Sequence, residues 1–177
     1  ANVQDFDDTH LATIIHPAAP VAPALFALAA ETRISGLQLA EAFAVGCEVA
    51  CRVGLAATPA HYRDGYHITS TCGILGAAMA VGHALGFNAD RLVDALGIAV
   101  NQSAGLIGSL GQMSKCVSVG NAARNGLFAA LMTRAGVKGP ADPLGGPHGF
   151  FAVMCRTPEP ALLISDLGTR WEALRNT

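Results

Sequence analysis

The segment from His67 to Ala89 contains no Asp, Glu, Lys or Arg and consists largely of small residues. Small side chains let the backbones of neighbouring helices approach one another closely. The same composition extends along the chain, which is 51% hydrophobic but only 6% aromatic and carries 20 glycines. We therefore predict an all-α fold, a compact bundle of small-residue-rich helices.

The uncharged segment is also long enough to resemble a membrane span. However, His83 and several glycines and polar residues interrupt it, and its flanks lack the excess of Lys and Arg typical of membrane helices. We expect a helix buried between others, with no membrane partner.

Charge and cysteine usage exclude further classes. With 11 basic and 13 acidic residues the net charge is −2, and the scattered basic residues form no stripe for a nucleic-acid backbone. The five cysteines form no CxxC pair and lie mostly in apolar runs, which favours structural thiols in a reducing compartment. Since no charged leader precedes an apolar segment at the N-terminus, we expect a cytoplasmic protein.

The length of 177 residues fits a single helical domain. Residues 1–20 are predicted to form an acidic loop, residues 21–135 a helical core, and residues 136–177 a loop and a final helix. Capping residues and apolar periodicity place the helix ends. The predicted helices run from Val21 to Arg33, Gly36 to Ala57, Ser70 to Gly86, Asn88 to Val100, Lys115 to Ala135 and Pro158 to Leu167, with Ser35, Ser70 and Asn88 as caps.

The acidic loop carries candidate acid/base groups. Asp5, Asp7 and Asp8 lie within four positions, followed by His10 and His16. Repulsion among close carboxylates raises at least one pKa, and histidine titrates near neutrality. The alternative is a turn whose carboxylates cap backbone amides. The two interpretations are compatible if Asp7 and Asp8 fix the loop while Asp5 faces a substrate.

Lys115 stands at the start of a predicted helix, where its charge opposes the positive end of the helix dipole. A bound anion would explain this position, whereas the alternative is a solvated first-turn residue. A Walker A phosphate loop is excluded, because Ser114 precedes the lysine and Cys116 follows it.

Other polar groups have plainer interpretations. Glu48 and Arg52 form an i,i+4 pair, which we interpret as a solvated surface contact. His61 is a candidate in an exposed loop. His67 by itself fits a core histidine bonded to a backbone carbonyl. His83 and His148 are interpreted as structural.

Several blocks in combination resemble the MmgE/PrpD family. These are DFDDTH at Asp5 to His10, the His16-Pro17 pair, GYHITSTCGILGAA from Gly65 and GQMSKCVSVGNAARNGL from Gly111. The family includes 2-methylcitrate dehydratases, cis-aconitate decarboxylases and iminodisuccinate epimerases. Its members are longer, so the resemblance implies that this chain is the central part of their helical domain. A smaller α+β domain that follows in the family is absent from this chain.

The resemblance also implies an active site. Residue by residue, it assigns catalysis to Asp5, His16, His67 and Lys115, and substrate binding to Thr9 and Asp8. The segment between Thr9 and His16 is one residue longer than in the decarboxylase branch. Family members take another basic residue from the second domain.

The expected function is that of a cofactor-independent lyase, similar to 2-methylcitrate dehydratase, acting on a small di- or tricarboxylate. Alternatives are an iminodisuccinate epimerase, a cis-aconitate decarboxylase or a non-catalytic helical module that dimerises. The family also implies a homodimer. We expect no metal, since an EF-hand starting at Asp5 would need Gly in place of His10 and Glu in place of His16.

Overall fold

The computed structural model describes residues 6–177, so the predicted catalytic residue Asp5 lies outside the described residues. That range contains isolated β-bridges but no β-strand. The prediction of an all-α fold is confirmed. The α-helices are α1 (Ala18–Glu31), α2 (Gly36–Ala57), α3 (Ala60–Arg63), α4 (Ile68–Ala84), α5 (Ala89–Val100), α6 (Ser114–Arg134) and α7 (Phe150–Met154), with 3-10 helices at Ile107–Ser109, Pro160–Leu163 and Glu172–Arg175.

Two of the three predicted helix caps are confirmed. Ser35 accepts from the amide of Gln38, whose side chain accepts in return from the Ser35 amide, so a capping box begins α2. The side chain of Asn88 likewise accepts from the amide of Arg91 at the start of α5.

The third predicted cap is wrong. Helix α4 begins at Ile68, directly after His67, rather than after Ser70. The Ser70 hydroxyl instead bonds the His67 ring and the hydroxyl of Ser118 on α6. A tertiary contact has therefore taken the side chain that the local pattern assigned to capping.

Helix α4 lies at the centre and packs against α1, α2, α5 and α6. A Cβ at Gly76 of α4 would lie 2.5 Å from the Gly46 carbonyl of α2, and one at Gly126 of α6 would lie 2.5 Å from the Ala77 Cβ. These helix backbones touch because no side chain separates them, as the small-residue composition predicted. None of the helices within residues 6–177 combines the length and the hydrophobicity that a bilayer span requires.

Helices α4 and α6 run in the same direction. Ser70 meets Ser118 near their N-terminal ends, and Ala77 lies against Gly126 further along both helices. The N-terminal ends of the two helices therefore lie side by side.

Our interpretation of Glu48 and Arg52 as a surface pair is wrong, because both side chains are buried on α2. The Arg52 guanidinium also donates to the carbonyls of Leu163, Ser165 and Arg170, at 3.1, 2.9 and 2.7 Å. The C-terminal segment thus folds over α2 and covers the pair, which periodicity within one helix does not reveal.

The last residues of the chain hold the acidic loop. Thr9 and Thr177 exchange two backbone hydrogen bonds, of 2.9 and 3.0 Å. The Asn176 side-chain amide donates to the Asp8 carboxylate, and the buried His10 ring lies 3.2 Å from the buried Glu172 carboxylate. Burial alone would raise the pKa of Glu172, but hydrogen bonds and nearby positive charges outweigh burial and lower it.

His61 is buried rather than exposed, so its interpretation as a loop candidate is wrong. Its Nδ1–H donates to the Met154 carbonyl of α7, and its Nε2 accepts from the Thr71 hydroxyl of α4. The ring also stacks on Tyr66, with 4.4 Å between centroids. His61 thus connects α3, which contains it, with α4 and α7. It has a structural role.

Candidate active site

Three helix N-termini meet at one place. The backbone amide of His16, just before α1, donates to the Thr69 hydroxyl in the first turn of α4, at 3.2 Å. The hydroxyls of Ser70 on α4 and Ser118 on α6 are 2.7 Å apart. The first turns of α1 and α4 and the first two turns of α6 are thereby adjacent, and each helix end here is the positive end of a helix dipole.

The acidic loop fixes the ring of His16. Its Nδ1 lies 2.9 Å from the Asp8 carbonyl oxygen, which accepts only, so Nδ1 carries the proton and donates. The Thr9 hydroxyl lies 3.2 Å from the same nitrogen, and an Asp7 carboxylate oxygen lies 3.7 Å from it. In the neutral ring, Nε2 is consequently the nitrogen with a lone pair.

The carboxylate of Asp8 is engaged by protein groups. It accepts from the amide of Ala18, the first residue of α1, and from the side chain of Asn176. Burial raises the pKa of this carboxyl, although the Ala18 hydrogen bond and the charge of His16 oppose the rise. The structure thus shows Asp8 capping a helix, and its predicted contact with substrate stays a prediction.

His67 is 3% exposed and lies immediately before α4. Its amide donates to the Gly105 carbonyl, and its Nδ1 lies 2.9 Å from the Ser70 hydroxyl. Burial, followed by the positive charges of Lys115 and His16, lowers the pKa of this imidazole to about 4. Lys115, and His16 in its protonated form, therefore act on His67 through space.

Four of the six predicted site residues lie around the point where these helix ends meet. They are Thr9, His16, His67 and Lys115. Asp8 is a fifth, because it supports the loop, and Asp5 lies outside the described residues. Lys115 is half-buried in the first turn of α6.

Two long-range contacts that support this site were not predicted from the sequence. Ser70 and Ser118 are 48 positions apart, and Asp8 and Asn176 are 168 positions apart. No local spacing links such residues, so no signal in the sequence pointed to either pair.

A cleft of about 360 Å³ opens beside this cluster, between the 101–105 loop and α6. Its wall includes Ser70, Gly105, Ser114, Ser118 and Asn121. His67 contacts the cleft through Ser70 rather than directly.

Burial keeps cysteine thiols in their neutral form. It raises the pKa of Cys47 to about 12, aided by the Asp8 charge, and that of Cys155 to about 11, aided by Asp64. Cysteine binds metals as the thiolate. Because of the raised pKa values, both side chains are neutral thiols near neutral pH instead. In the part of the chain that the structure describes, no group of three or more His, Cys, Asp or Glu could hold a metal ion.

The geometry predicts the titration of His67. Replacing Lys115→Gln removes a nearby positive charge and is expected to raise the pKa of His67 from about 4 toward 6.5. NMR titration of the histidine rings measures this change, with the His67 signal assigned from its loss in His67→Gln. The matched control is Lys138→Gln, whose ammonium pairs with Asp94 instead.

The same shift affects stability. The unfolded ring takes up a proton near pH 6.5, whereas the folded ring resists protonation until about pH 4. The stability contributed by neutral His67 is complete above pH 6.5 and is lost as the pH falls from 6.5 to 4. A His67 pKa that does not change in Lys115→Gln would contradict the proximity of the two side chains.

Known proteins match the chain along most of its length. The cis-aconitate decarboxylase-like protein oryM of Aspergillus oryzae is 36% identical over an alignment 185 residues long, which covers 95% of this chain and 38% of that protein. The cis-aconitate decarboxylase of Aspergillus terreus is 36% identical over 157 residues, covering 85% and 32%. That of Homo sapiens is 37% identical over 154 residues, covering 84% and 32%.

The chain therefore spans about a third of the length of these relatives. A family model described as the MmgE/PrpD N-terminal domain matches residues 1–163. Together with the helical fold, this match shows that the chain belongs to the MmgE/PrpD family.

Proposed function

We propose that the complete protein is a cofactor-independent lyase acting on a small di- or tricarboxylate. The observation that carries the proposal is the meeting of three helix N-termini around His16, His67 and Lys115. Helix N-termini and an ammonium attract anions, and the two imidazoles add groups that exchange protons. This combination suits a carboxylate whose neighbouring carbon gains or loses a proton.

Each residue has a distinct part in the proposed reaction. Lys115 and the backbone amides of the helix ends hold substrate carboxylates and stabilise developing negative charge. His67 and His16 transfer protons, with Nε2 facing the substrate because Nδ1 is engaged in both rings. Thr9 and Asp8 support binding from the loop, and Asp5 joins them as a further catalytic group.

The names of the relatives favour decarboxylation as the first reaction to test. Loss of CO₂ breaks a carbon–carbon bond and leaves an electron pair on the substrate, which must take up one proton. Lys115 would stabilise that charge, and an imidazole would supply the proton. Dehydration of a 2-methylcitrate-like hydroxy-acid uses the same groups with the opposite proton transfer at carbon.

The proposal includes a second domain that completes the pocket and a homodimeric protein. The relatives are about three times as long as this chain, which leaves room for a domain carrying the further basic group implied by the family.

The test is a substrate screen with the product of the complete gene. We expect turnover of one among cis-aconitate, 2-methylcitrate, citrate and iminodisuccinate. The change in conjugated double bonds reports the first three, and chiral chromatography reports epimerisation of iminodisuccinate. Release of CO₂ identifies decarboxylation. Prior removal of metals with a chelator should leave the rate unchanged, since no step uses a metal. A flat response to all four compounds would contradict the proposal and favour a non-catalytic helical module.

A further inference from the structure

A chain of hydroxyl groups leads from the buried imidazole of His67 to an open cleft. The His67 Nδ1 lies 2.9 Å from the Ser70 hydroxyl, which lies 2.7 Å from the hydroxyl of Ser118. Ser70 is fully buried, whereas Ser118 is partly exposed. Both serines line the cleft of about 360 Å³ beside α6. The cleft therefore brings solvent within two hydroxyls of the ring.

The backbone around Gly105 leaves room for this chain. Gly105 has a φ of +141°, and its carbonyl accepts from the His67 amide. A Cβ at this position would lie 2.8 Å from both the Ser118 Oγ and the Ser70 Cβ. Only glycine fits this backbone and this space, so residue 105 anchors the backbone of His67 and leaves room for the two hydroxyls to meet.

We propose that Ser70 and Ser118 form a proton relay between His67 and solvent in the cleft. The inference rests on the proposed function, because it gives the route by which His67 exchanges the proton used in the reaction. The serines act through His67 and touch no substrate.

The number of protons gained and lost along the relay balances for a decarboxylation. When the carbon–carbon bond breaks and CO₂ leaves, the remaining electron pair takes the proton from His67 Nε2. His67 Nδ1 takes the Ser70 proton, Ser70 takes that of Ser118, and Ser118 takes one from a cleft water, which is left as hydroxide. One proton enters from the cleft and one forms a C–H bond, while the ring stays neutral and changes tautomer. Afterwards Nε2 regains a proton from solvent, and Nδ1 returns one along the serines that converts the hydroxide back to water.

The relay explains how an imidazole ring that is rarely protonated to the cation can still deliver a proton. With a pKa of about 4, His67 is almost never an imidazolium near pH 7. A neutral imidazole that gains a proton at Nδ1 as it loses one at Nε2 avoids the charged form. The buried position of His67, at 3% exposure, makes such a route necessary once substrate covers its other side.

The experiment compares Ser118→Ala with Ser114→Ala in the complete protein. Ser114 is a matched control, because it lines the same cleft on the same helix but lies outside the hydroxyl chain. With cis-aconitate as the probe, Ser118→Ala is expected to lower kcat about tenfold with KM unchanged and to raise the solvent deuterium isotope effect on kcat. Ser118→Thr keeps a hydroxyl and should restore the rate.

A second measurement needs no substrate. Below about pH 4 the ring carries a proton on both nitrogens, and the Nδ1 proton faces Ser70. Exchange of this Nδ1 proton with solvent, followed by NMR, should slow about tenfold in Ser118→Ala and stay unchanged in Ser114→Ala. Unchanged exchange in Ser118→Ala would overturn the relay whatever the enzyme turns over. Slowed exchange without turnover of any tested carboxylate would support the relay and contradict the proposed function instead.

Discussion

Replacing either His67 or Lys115 by alanine in the complete protein is expected to lower turnover at least about a hundredfold. His67 supplies the proton transfer, and Lys115 neutralises charge that develops on a carboxylate. Lys115 also helps to lower the pKa of His67, so its loss changes both binding and proton transfer. Steady-state kinetics on the best of the four carboxylates measures the effect.

The pattern of the losses separates the two roles. Lys115→Ala should raise KM as well as lower kcat, because an ammonium binds the substrate before it stabilises the transition state. His67→Ala should act mainly on kcat. Lys138→Ala and His83→Ala are controls, since one is an exposed ammonium paired with Asp94 and the other an exposed imidazole at the far end of α4. Wild-type turnover in both His67→Ala and Lys115→Ala would exclude these roles.

Replacing Arg52 by alanine is expected to lower the free energy of unfolding by about 3–5 kcal/mol. The change leaves the buried carboxylate of Glu48 without its cationic partner and removes the donor to three carbonyls of the C-terminal segment. Because that segment reaches the acidic loop through Asn176 and Thr177, the loop should loosen too. Urea denaturation measures the loss, and hydrogen exchange at Thr9 and His10 measures the loosening.

The matched control is another i,i+4 ion pair, between Asp166 and Arg170. Asp166 is 60% exposed in its side chain, so Asp166→Asn should cost less than about 1 kcal/mol. Asparagine also tolerates the positive φ of 52° at this position. Equal losses in Arg52→Ala and Asp166→Asn would mean that burial of the Glu48–Arg52 pair does not matter to stability.

Much of the helical framework could be predicted from short stretches of sequence. The ends of α2 agree with the expected Gly36 and Ala57, and its start is set by Ser35 and Gln38, which cap the helix within four residues. The predicted helix boundaries were wrong where the helix depends on contacts with residues far away in the chain. The expected helix from Pro158 to Leu167 is only a 3-10 turn at Pro160–Leu163, and α7 was not predicted.

The candidate site divides in the same way. The motifs identified His16, His67 and Lys115, because each motif is a short block that can be compared with the family on its own. What lies against these side chains depends on how the blocks meet. The burial that lowers the pKa of His67 and the contact between Ser70 and Ser118 arise only where α4 and α6 pack together.

The sequence by itself determined that this protein is helical, that its helices pack through small residues, and which family blocks it carries. These properties follow from composition and from spacings of a few residues. Only the tertiary structure decided that Glu48 and Arg52 are buried, that Asp8 caps α1, and that the hydroxyls of Ser70 and Ser118 lead to a cleft. The physical reason is that burial and long-range hydrogen bonds depend on residues far apart in the chain.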